Sequence, residues 1–119
     1  MNTRMKIDID AMEQAADQVS SLLKALANRN RLFIICLLMD GERSVGELAE
    51  ALDLRDSTVS QHLALLRKDN LVSARRDGQT IFYSITSGPA LEVLKTLYEV
   101  FCNKSKAGMA VSSEVSSQR

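Results

Sequence analysis

Nine polar or basic side chains lie in one short stretch of the chain, where together they could contact nucleic acid. They are Ser57, Thr58, Ser60, Gln61, His62, Arg67, Arg75, Arg76 and Gln79. Hydroxyl groups at a helix N-terminus suit a phosphate, because the backbone amides and the helix dipole favour an anion there. A glutamine can form two hydrogen bonds with adenine, and arginines beside a β-turn could bind a flanking phosphate or the minor groove. These residue types predict a surface that contacts duplex DNA.

The net charge of the whole chain does not indicate a nucleic-acid partner, because 15 basic residues balance 15 acidic ones. The segment from Arg55 to Arg76 nevertheless holds five basic residues against Asp56 and Asp69. Polar residues on an isolated helix face are usually only solvated, so the interpretation as a DNA contact depends on the surrounding elements. The single histidine, His62, fits either a base or phosphate contact or a partly buried spacer.

The two cysteines, Cys36 and Cys102, are the other residues that could do chemistry. A reducing cytosol would not normally keep a structural disulfide, so they are either packing residues or a conditional pair. Cys36 shares an apolar helical stripe with Leu32 and Met39, which favours packing, whereas Cys102 near a helix end should be accessible to a small oxidant. An oxidoreductase is disfavoured, because there is no Cys-x-x-Cys motif and a single histidine leaves no Cys/His/acid arrangement. Two separated cysteines and one histidine also make a poor closed zinc site, so we expect no metal and no cofactor.

The helices that must position these residues can be predicted from the spacing of apolar residues and from helix-capping residues. Asp10 to Glu13 resembles a capping box and precedes a first amphipathic helix that extends to Leu26. Asn28 can cap a second helix, which ends at Asp40-Gly41 and should be central because its flanks are also apolar. Ser44 to Glu47 is a clearer capping box, and it begins a third helix.

The fourth helix is predicted to be the recognition helix of a helix-turn-helix. A link of about four residues, Asp53 to Asp56, leads from the third helix to Ser57, the expected N-cap. Two short helices with such a link are typical of this motif. The recognition helix would extend from Ser57 to Arg67. Its inner face would consist of Val59, Leu63 and Leu66.

The chain then changes its periodicity from helix to strand. Alternating residues on both sides of Asp77-Gly78 predict a β-hairpin with Asp-Gly at its turn. Gly88-Pro89 begins a fifth helix with an apolar stripe that reaches Phe101. The predicted fold is therefore mainly α with a small β-hairpin: a winged helix-turn-helix with five helices and a two-stranded wing. This agreement between elements and polar residues supports DNA contact over simple solvation.

The length of 119 residues fits one domain. We expect an N-terminal arm at residues 1–10, a DNA-binding and dimerisation domain at 11–104, and a disordered tail at 105–119 that lacks a sustained apolar face. No apolar run approaches the roughly 20 residues of a membrane span, and the N-terminus does not resemble a secretory signal. The expected location is the cytoplasm, without a membrane partner.

Four segments of the chain resemble the ArsR-type repressors. They are Leu23 to Leu32, Ser44 to Leu48, Ser57 to Leu63 and Arg75 to Tyr83, within a match that covers roughly Met12 to Cys102. The resemblance implies a homodimer, joined through the first and last helices, that binds palindromic operator DNA. Many members of the family sense metals through a Cys-x-Cys pair in the third helix, or through histidines and acidic residues in the last. This sequence has neither arrangement.

The persulfide-sensing branch of the family, of the BigR and SqrR type, has one cysteine in the second helix and one late in the last. Cys36 and Cys102 occupy these positions, so the resemblance implies that they are a sensing dithiol with reactive sulfur species as effector. A sulfur-linked bridge between them would lower operator affinity. The architecture is also similar to regulators of the HlyU type, which implies relief of silencing instead of repression. The sequence also leaves open a metal-sensing repressor and a winged-helix module that binds protein.

Overall fold

The computed structural model describes residues 5–102, which form five α-helices and three β-strands. In chain order the elements are α1 (Ile9–Leu26), α2 (Arg29–Leu38), β1 (Arg43–Ser44), α3 (Val45–Leu52), α4 (Asp56–Lys68), β2 (Val72–Asp77), β3 (Thr80–Ile85) and α5 (Gly88–Phe101). This order confirms the predicted winged helix-turn-helix and adds the short strand β1, which the periodicity did not predict. The tail predicted at residues 105–119 lies outside the described residues.

The helices begin where side chains accept backbone hydrogen bonds. Ser44 and Glu47 form the predicted capping box: the Glu47 amide donates to the Ser44 hydroxyl at 3.1 Å, and the Ser44 amide donates to the Glu47 carboxylate at 2.9 Å. Asn28 caps α2 as predicted and accepts from a backbone amide at 3.0 Å. The predicted cap of α1 was wrong, because Asp8 instead of Asp10 accepts the capping hydrogen bond, at 3.2 Å. The first helix therefore begins inside the predicted arm.

The core forms around α2, as its apolar flanks predict. Ile34 and Ile35 have no exposed surface, and α2 packs on both α3 and α4. The predicted inner face of α4 is confirmed, since its three residues are completely buried. The buried core residues are Ala25, Leu26, Ile34, Ile35, Leu38, Leu48, Ala49, Val59, Leu63, Leu66, Leu71, Val72, Ala90 and Leu94. Among the described residues, no helix is long and apolar enough to cross a membrane.

The three strands form one antiparallel sheet in the order β1-β3-β2. The long pair is the predicted hairpin of β2 and β3, in which Val72 lies opposite Ile85 near the core. Strand β1 covers part of the other edge of β3, with Arg43 opposite Tyr83. The loop that follows α2 is thereby attached to the middle of the hairpin.

The hairpin turn differs from the predicted Asp-Gly turn by one residue. Asp77 is the last residue of β2, opposite Thr80, so the two loop residues are Gly78 and Gln79. Gly78 has a φ of +68°, and Gln79 does not share this positive φ. A glycine with positive φ at the first loop position is the pattern of a type II′ turn, whose twist matches that of the flanking strands. Gln79 is therefore exposed at the tip of the wing.

Two helices leave apolar faces uncovered in the single chain. On α1, Met12, Val19 and Leu23 are 49%, 38% and 54% exposed. On α5, Tyr98 and Phe101 are 54% and 69% exposed. These residues belong to the apolar stripes that the sequence predicts for the first and last helices. Neighbouring exposed apolar residues of this kind are typical of an interaction surface.

Candidate nucleic-acid interface and cysteine pair

A three-residue turn, Asp53 to Arg55, joins α3 to α4 and is one residue shorter than the predicted link. Asp53 ends α3 in the left-handed conformation, with φ 56° and ψ 49°. The Leu54 amide donates to the Ala49 carbonyl at 2.9 Å, which closes the last turn of α3. Leu54 also packs against the core. The turn and this anchor together set the position of α4 on α2 and α3.

The first turn of α4 differs from the prediction in a way that affects anion binding. Arg55 is the N-cap and makes no side-chain capping bond, so Ser57 is the second helical residue instead of the predicted cap. Asp56 takes the first position, where its carboxylate interacts favourably with the positive end of the helix dipole. A DNA phosphate placed at this helix end would meet that carboxylate. This end of α4 is therefore less favourable for a phosphate than the sequence predicted.

The polar residues predicted on α4 form one outward row with two half-buried neighbours. Ser57, Ser60 and Gln61 are three and four residues apart, which places them on one face of the helix. All three are exposed, and so is Arg67 two turns further along the same face. Thr58 and His62 are half-buried beside this row. The structure thus places Ser57 and Gln61 opposite the buried face of α4, with Ser60 and Arg67 on one flank and the half-buried Thr58 and His62 on the other.

His62 is the member of this group that has a specific environment. Its Nδ1 atom is buried and has no hydrogen-bond partner among residues 5–102. Burial lowers the pKa of His62 below its ordinary value, and the positive charge of Arg31 lowers it further. Arg31 is fixed by a hydrogen bond from its Nε to the Ala25 carbonyl at 2.8 Å. Both effects favour the neutral imidazole, and because Nδ1 is buried, a hydrogen bond to a ligand outside the protein is left to Nε2.

The wing separates the two predicted arginines, because neighbouring strand residues face opposite sides of a sheet. Arg76 lies opposite Ile81, on the face that continues to Val72 and the core. Arg75 lies opposite Phe82, on the other face. Both arginines are exposed. Only Arg76 therefore extends from the sheet face that packs against the helices.

Arg75 is held by Glu42, a residue that no pattern in the sequence singled out. Its Nε and Nη2 atoms donate to Oε2 and Oε1 of Glu42 at 2.9 and 2.8 Å. The hydrogen bond with Arg75 lowers the pKa of the Glu42 carboxyl, and the same contact raises the pKa of Arg75. The two residues are 33 positions apart, so no local pattern could have indicated their pairing.

The two cysteines are free thiols in different environments. Cys36 is half-buried in the last turn of α2, and Cys102 is exposed at the C-cap of α5. Burial raises the pKa of the Cys36 thiol, and the nearby thiolate of Cys102 raises it further. The more accessible of the two thiols is therefore the one at the end of α5. Over residues 5–102, no three His, Cys, Asp or Glu side chains are placed to hold a metal ion.

Comparison with known proteins finds similar sequences among transcriptional regulators. A family model described as "Bacterial regulatory protein, arsR family" matches residues 28–74, from the cap of α2 into β2. The chain is 43% identical over 96 residues to the transcriptional activator HlyU of Vibrio cholerae, a match that covers 81% of this chain and 89% of that protein. The matched proteins are regulators and not enzymes, in agreement with the predicted class.

Solved structures extend the similarity beyond the helix-turn-helix. The transcriptional repressor BigR from Xylella fastidiosa has a TM-score of 0.75 and 38% identity, covering 81% of this chain and 98% of that one. A homodimeric winged helix-turn-helix DNA-binding domain from Mycobacterium bovis has a TM-score of 0.67 and 33% identity, covering 90% and 96%. The similarity therefore includes the helices that flank the DNA-binding motif as well as the motif itself.

Proposed function

The chain belongs to the ArsR family and is a transcriptional regulator that binds DNA, and from this premise we propose that a Cys36–Cys102 dithiol controls its operator affinity. The reduced protein binds its operator as a dimer. A persulfide or polysulfide joins the two cysteines through inserted sulfur, and the affinity falls. The observation that supports this proposal is the placement of a half-buried thiol at the end of α2 and an exposed thiol at the end of α5, with the charge of Cys102 contributing to the raised pKa of Cys36.

The proposed DNA surface combines the outward row of α4 with the tip of the wing. Ser57, Ser60 and Gln61 lie in the first two turns of α4, the part of a recognition helix that contacts base edges in the major groove. The wing would contact a flanking phosphate or the minor groove. The proposed contacts are Ser57, Thr58, Ser60, Gln61, His62, Arg67, Arg76 and Gln79, with Arg75 adjoining them on the opposite face of the wing.

The proposed dimer uses the uncovered apolar faces of α1 and α5. Exposed residues such as Val19, Leu23 and Tyr98 would be buried there by the same residues of a second chain. The homodimeric domain from Mycobacterium bovis, which is similar over 90% of this chain, supports a dimer, and the uncovered faces of α1 and α5 support the proposed place of contact. A dimer presents two recognition helices to half-sites about 34–36 Å apart, so its affinity depends on how the two chains are oriented.

The proposed sensing reaction begins at the exposed thiol. The Cys102 thiolate attacks a sulfane sulfur of the polysulfide and displaces a shorter polysulfide, which leaves a hydropolysulfide chain on Cys102. The Cys36 thiolate then attacks the sulfur next to Cys102 Sγ and forms a trisulfide bridge. The rest of the chain leaves, as hydrosulfide where two sulfurs had been added. The two thiols lose two electrons and both protons, and the polysulfide is the species reduced. An inserted sulfur also spans a wider gap than a direct disulfide, which requires Cα atoms within about 7 Å.

The DNA surface is tested by comparing one base-contacting residue with one phosphate-contacting residue. Gln61→Ala should weaken binding by about 1–3 kcal/mol and alter base preference at one position. Arg76→Ala should weaken binding to all sequences alike and lower the slope of log affinity against log salt by about one. Titration of a footprinted fragment at several salt concentrations measures both effects.

Lys95→Ala is the matched control for Arg76→Ala, because it removes an exposed positive charge on α5, outside the proposed surface. It should leave the salt slope unchanged. If neither Gln61→Ala nor Arg76→Ala weakens binding, the proposed surface is wrong.

The bridge is tested by the intact mass of the protein after polysulfide treatment. The chain has only two cysteines, so a monomeric product that gains sulfur and resists alkylation must contain the Cys36–Cys102 bridge. Because the pKa of Cys36 is raised, little of it is thiolate at neutral pH, and bridge closure should accelerate as the pH rises. In the Cys36→Ser variant the reaction should stop at the hydropolysulfide on Cys102, which an alkylating reagent still modifies. Two separately alkylatable cysteines in treated wild-type protein would contradict the proposal.

A further inference from the structure

The contact between Glu42 and Arg75 joins the loop after α2 to the middle of the wing. The guanidinium donates two parallel hydrogen bonds to the carboxylate, at 2.9 and 2.8 Å, which is the strongest geometry for this pair. The same guanidinium lies 5.0 Å from the centroid of the Phe82 ring, its cross-strand partner. The Asp77 carboxylate is 3.9 Å from Nη1. Arg75 therefore already contacts two carboxylates and one aromatic ring of its own chain.

A guanidinium held in this way is poorly suited to bind a DNA phosphate. Both carboxylates, Glu42 and Asp77, would repel an approaching phosphate. The bidentate bond to Glu42 would have to break before Arg75 could form an equivalent bond with DNA. Arg76, on the opposite face of the strand, has no such ion pair with any of residues 5–102.

The loop that carries Glu42 is in turn fixed to the end of α2. The next residue, Arg43, donates from Nε to the Leu37 carbonyl at 3.1 Å and from Nη2 to the Asp40 carboxylate at 3.4 Å. Leu37 follows Cys36 directly. A continuous series of contacts thus extends from the Cys36 turn, through the loop, to the wing.

We propose that Glu42, Arg75 and Phe82 form a clamp that sets the angle of the wing relative to α2, and that Arg75 is a positioning residue which acts on operator affinity through this clamp. The inference rests on the proposed function for its DNA surface. It goes beyond that function by assigning the orientation of the wing to a contact with the helix that carries Cys36. The clamp is solvent-exposed, so its ion pair contributes only a small free energy to holding the wing in place. Its loss should therefore reduce operator affinity modestly.

The test is operator titration of the reduced full-length protein with Glu42→Ala, Arg75→Ala, the double variant, and the exchanged pair Glu42→Arg with Arg75→Glu. Each single variant should lose about two- to fivefold in affinity, because an exposed ion pair is worth no more than this. The double variant should lose no more than either single one. The exchanged pair should recover affinity, and the salt slope should stay at the wild-type value throughout.

A different pattern identifies Arg75 as a phosphate contact and overturns the clamp. In that case Arg75→Ala lowers the salt slope by about one, Glu42→Ala leaves affinity unchanged or raises it, and the exchanged pair binds worst. If the clamp is correct, Arg76→Ala measured in parallel should lower the salt slope, whereas Arg75→Ala should leave the salt slope unchanged. All measurements use reduced protein, so they judge the clamp even if polysulfide proves to have no effect. A failure of the proposed DNA surface would appear separately, in Gln61→Ala and Arg76→Ala.

Discussion

Polysulfide treatment of the reduced wild-type protein is expected to lower its operator affinity by about five- to 150-fold, the range typical of allosteric coupling. The physical reason lies in what the two cysteines connect. Cys36 is at the end of α2, which packs directly on the recognition helix α4. Cys102 is at the end of α5, which presents part of the proposed dimer surface. The proposed bridge between them would pull α5 relative to α2 and so would change how the two recognition helices are oriented.

The measurement is a titration of the footprinted operator with reduced and polysulfide-treated protein at one salt concentration. Cys36→Ser and Cys102→Ser are the matched controls, since each removes one end of the bridge and changes a single atom. Both should bind as tightly as reduced wild-type protein, before and after treatment. Reductant should restore the affinity of the treated wild type.

Unchanged affinity in treated wild-type protein, with the bridge confirmed by its mass, would show that the dithiol does not control DNA binding. A loss of affinity that persists in both serine variants would assign the effect to another part of the protein. Repression and activation both begin with operator binding, so this experiment applies whether the chain acts as the Xylella fastidiosa repressor or as the Vibrio cholerae activator does.

Leu63→Ala is expected to destabilise the protein by about 2–5 kcal/mol, because it removes a fully buried side chain and leaves a cavity. Leu63 is on the inner face of α4, in the cluster that includes Ile34 and Ile35 of α2. The midpoint of thermal unfolding should therefore fall by roughly 10 °C or more. Unfolding is followed by circular dichroism in reductant. All variants are compared at one protein concentration, because the stability of a dimer depends on concentration.

Leu65→Ala is the matched control, since it makes the same chemical change on the same helix at a residue that is 48% exposed. Surface substitutions usually change stability by about 0.5 kcal/mol or less. Equal losses for the two leucines would contradict the orientation of α4 in this fold. The comparison also separates effects on folding from effects on DNA contacts, because neither leucine belongs to the outward row.

Local features of the sequence predicted where a helix begins when a local capping interaction determines that position. The Ser44–Glu47 capping box begins α3 as predicted, because both of its hydrogen bonds lie within four residues. Ser57 was wrongly predicted to cap α4, although serine is a good capping residue and Arg55 is not. A cap contributes only about 1 kcal/mol, and the turn anchored by Leu54 in the core decides where the helix begins.

The periodicity of apolar residues was sufficient to predict five helices, a hairpin and the polar row from Ser57 to Arg67, because these depend on neighbours within one or two helical turns. Only the tertiary structure separates Arg75 from Arg76 and pairs Arg75 with Glu42, because strand register and a contact over 33 positions determine both results. The electrostatic influence of Cys102 on Cys36 likewise depends on the tertiary structure, because the two residues belong to helices that are far apart in the sequence. Such contacts depend on how distant segments meet, and no pattern within a single segment contains that information.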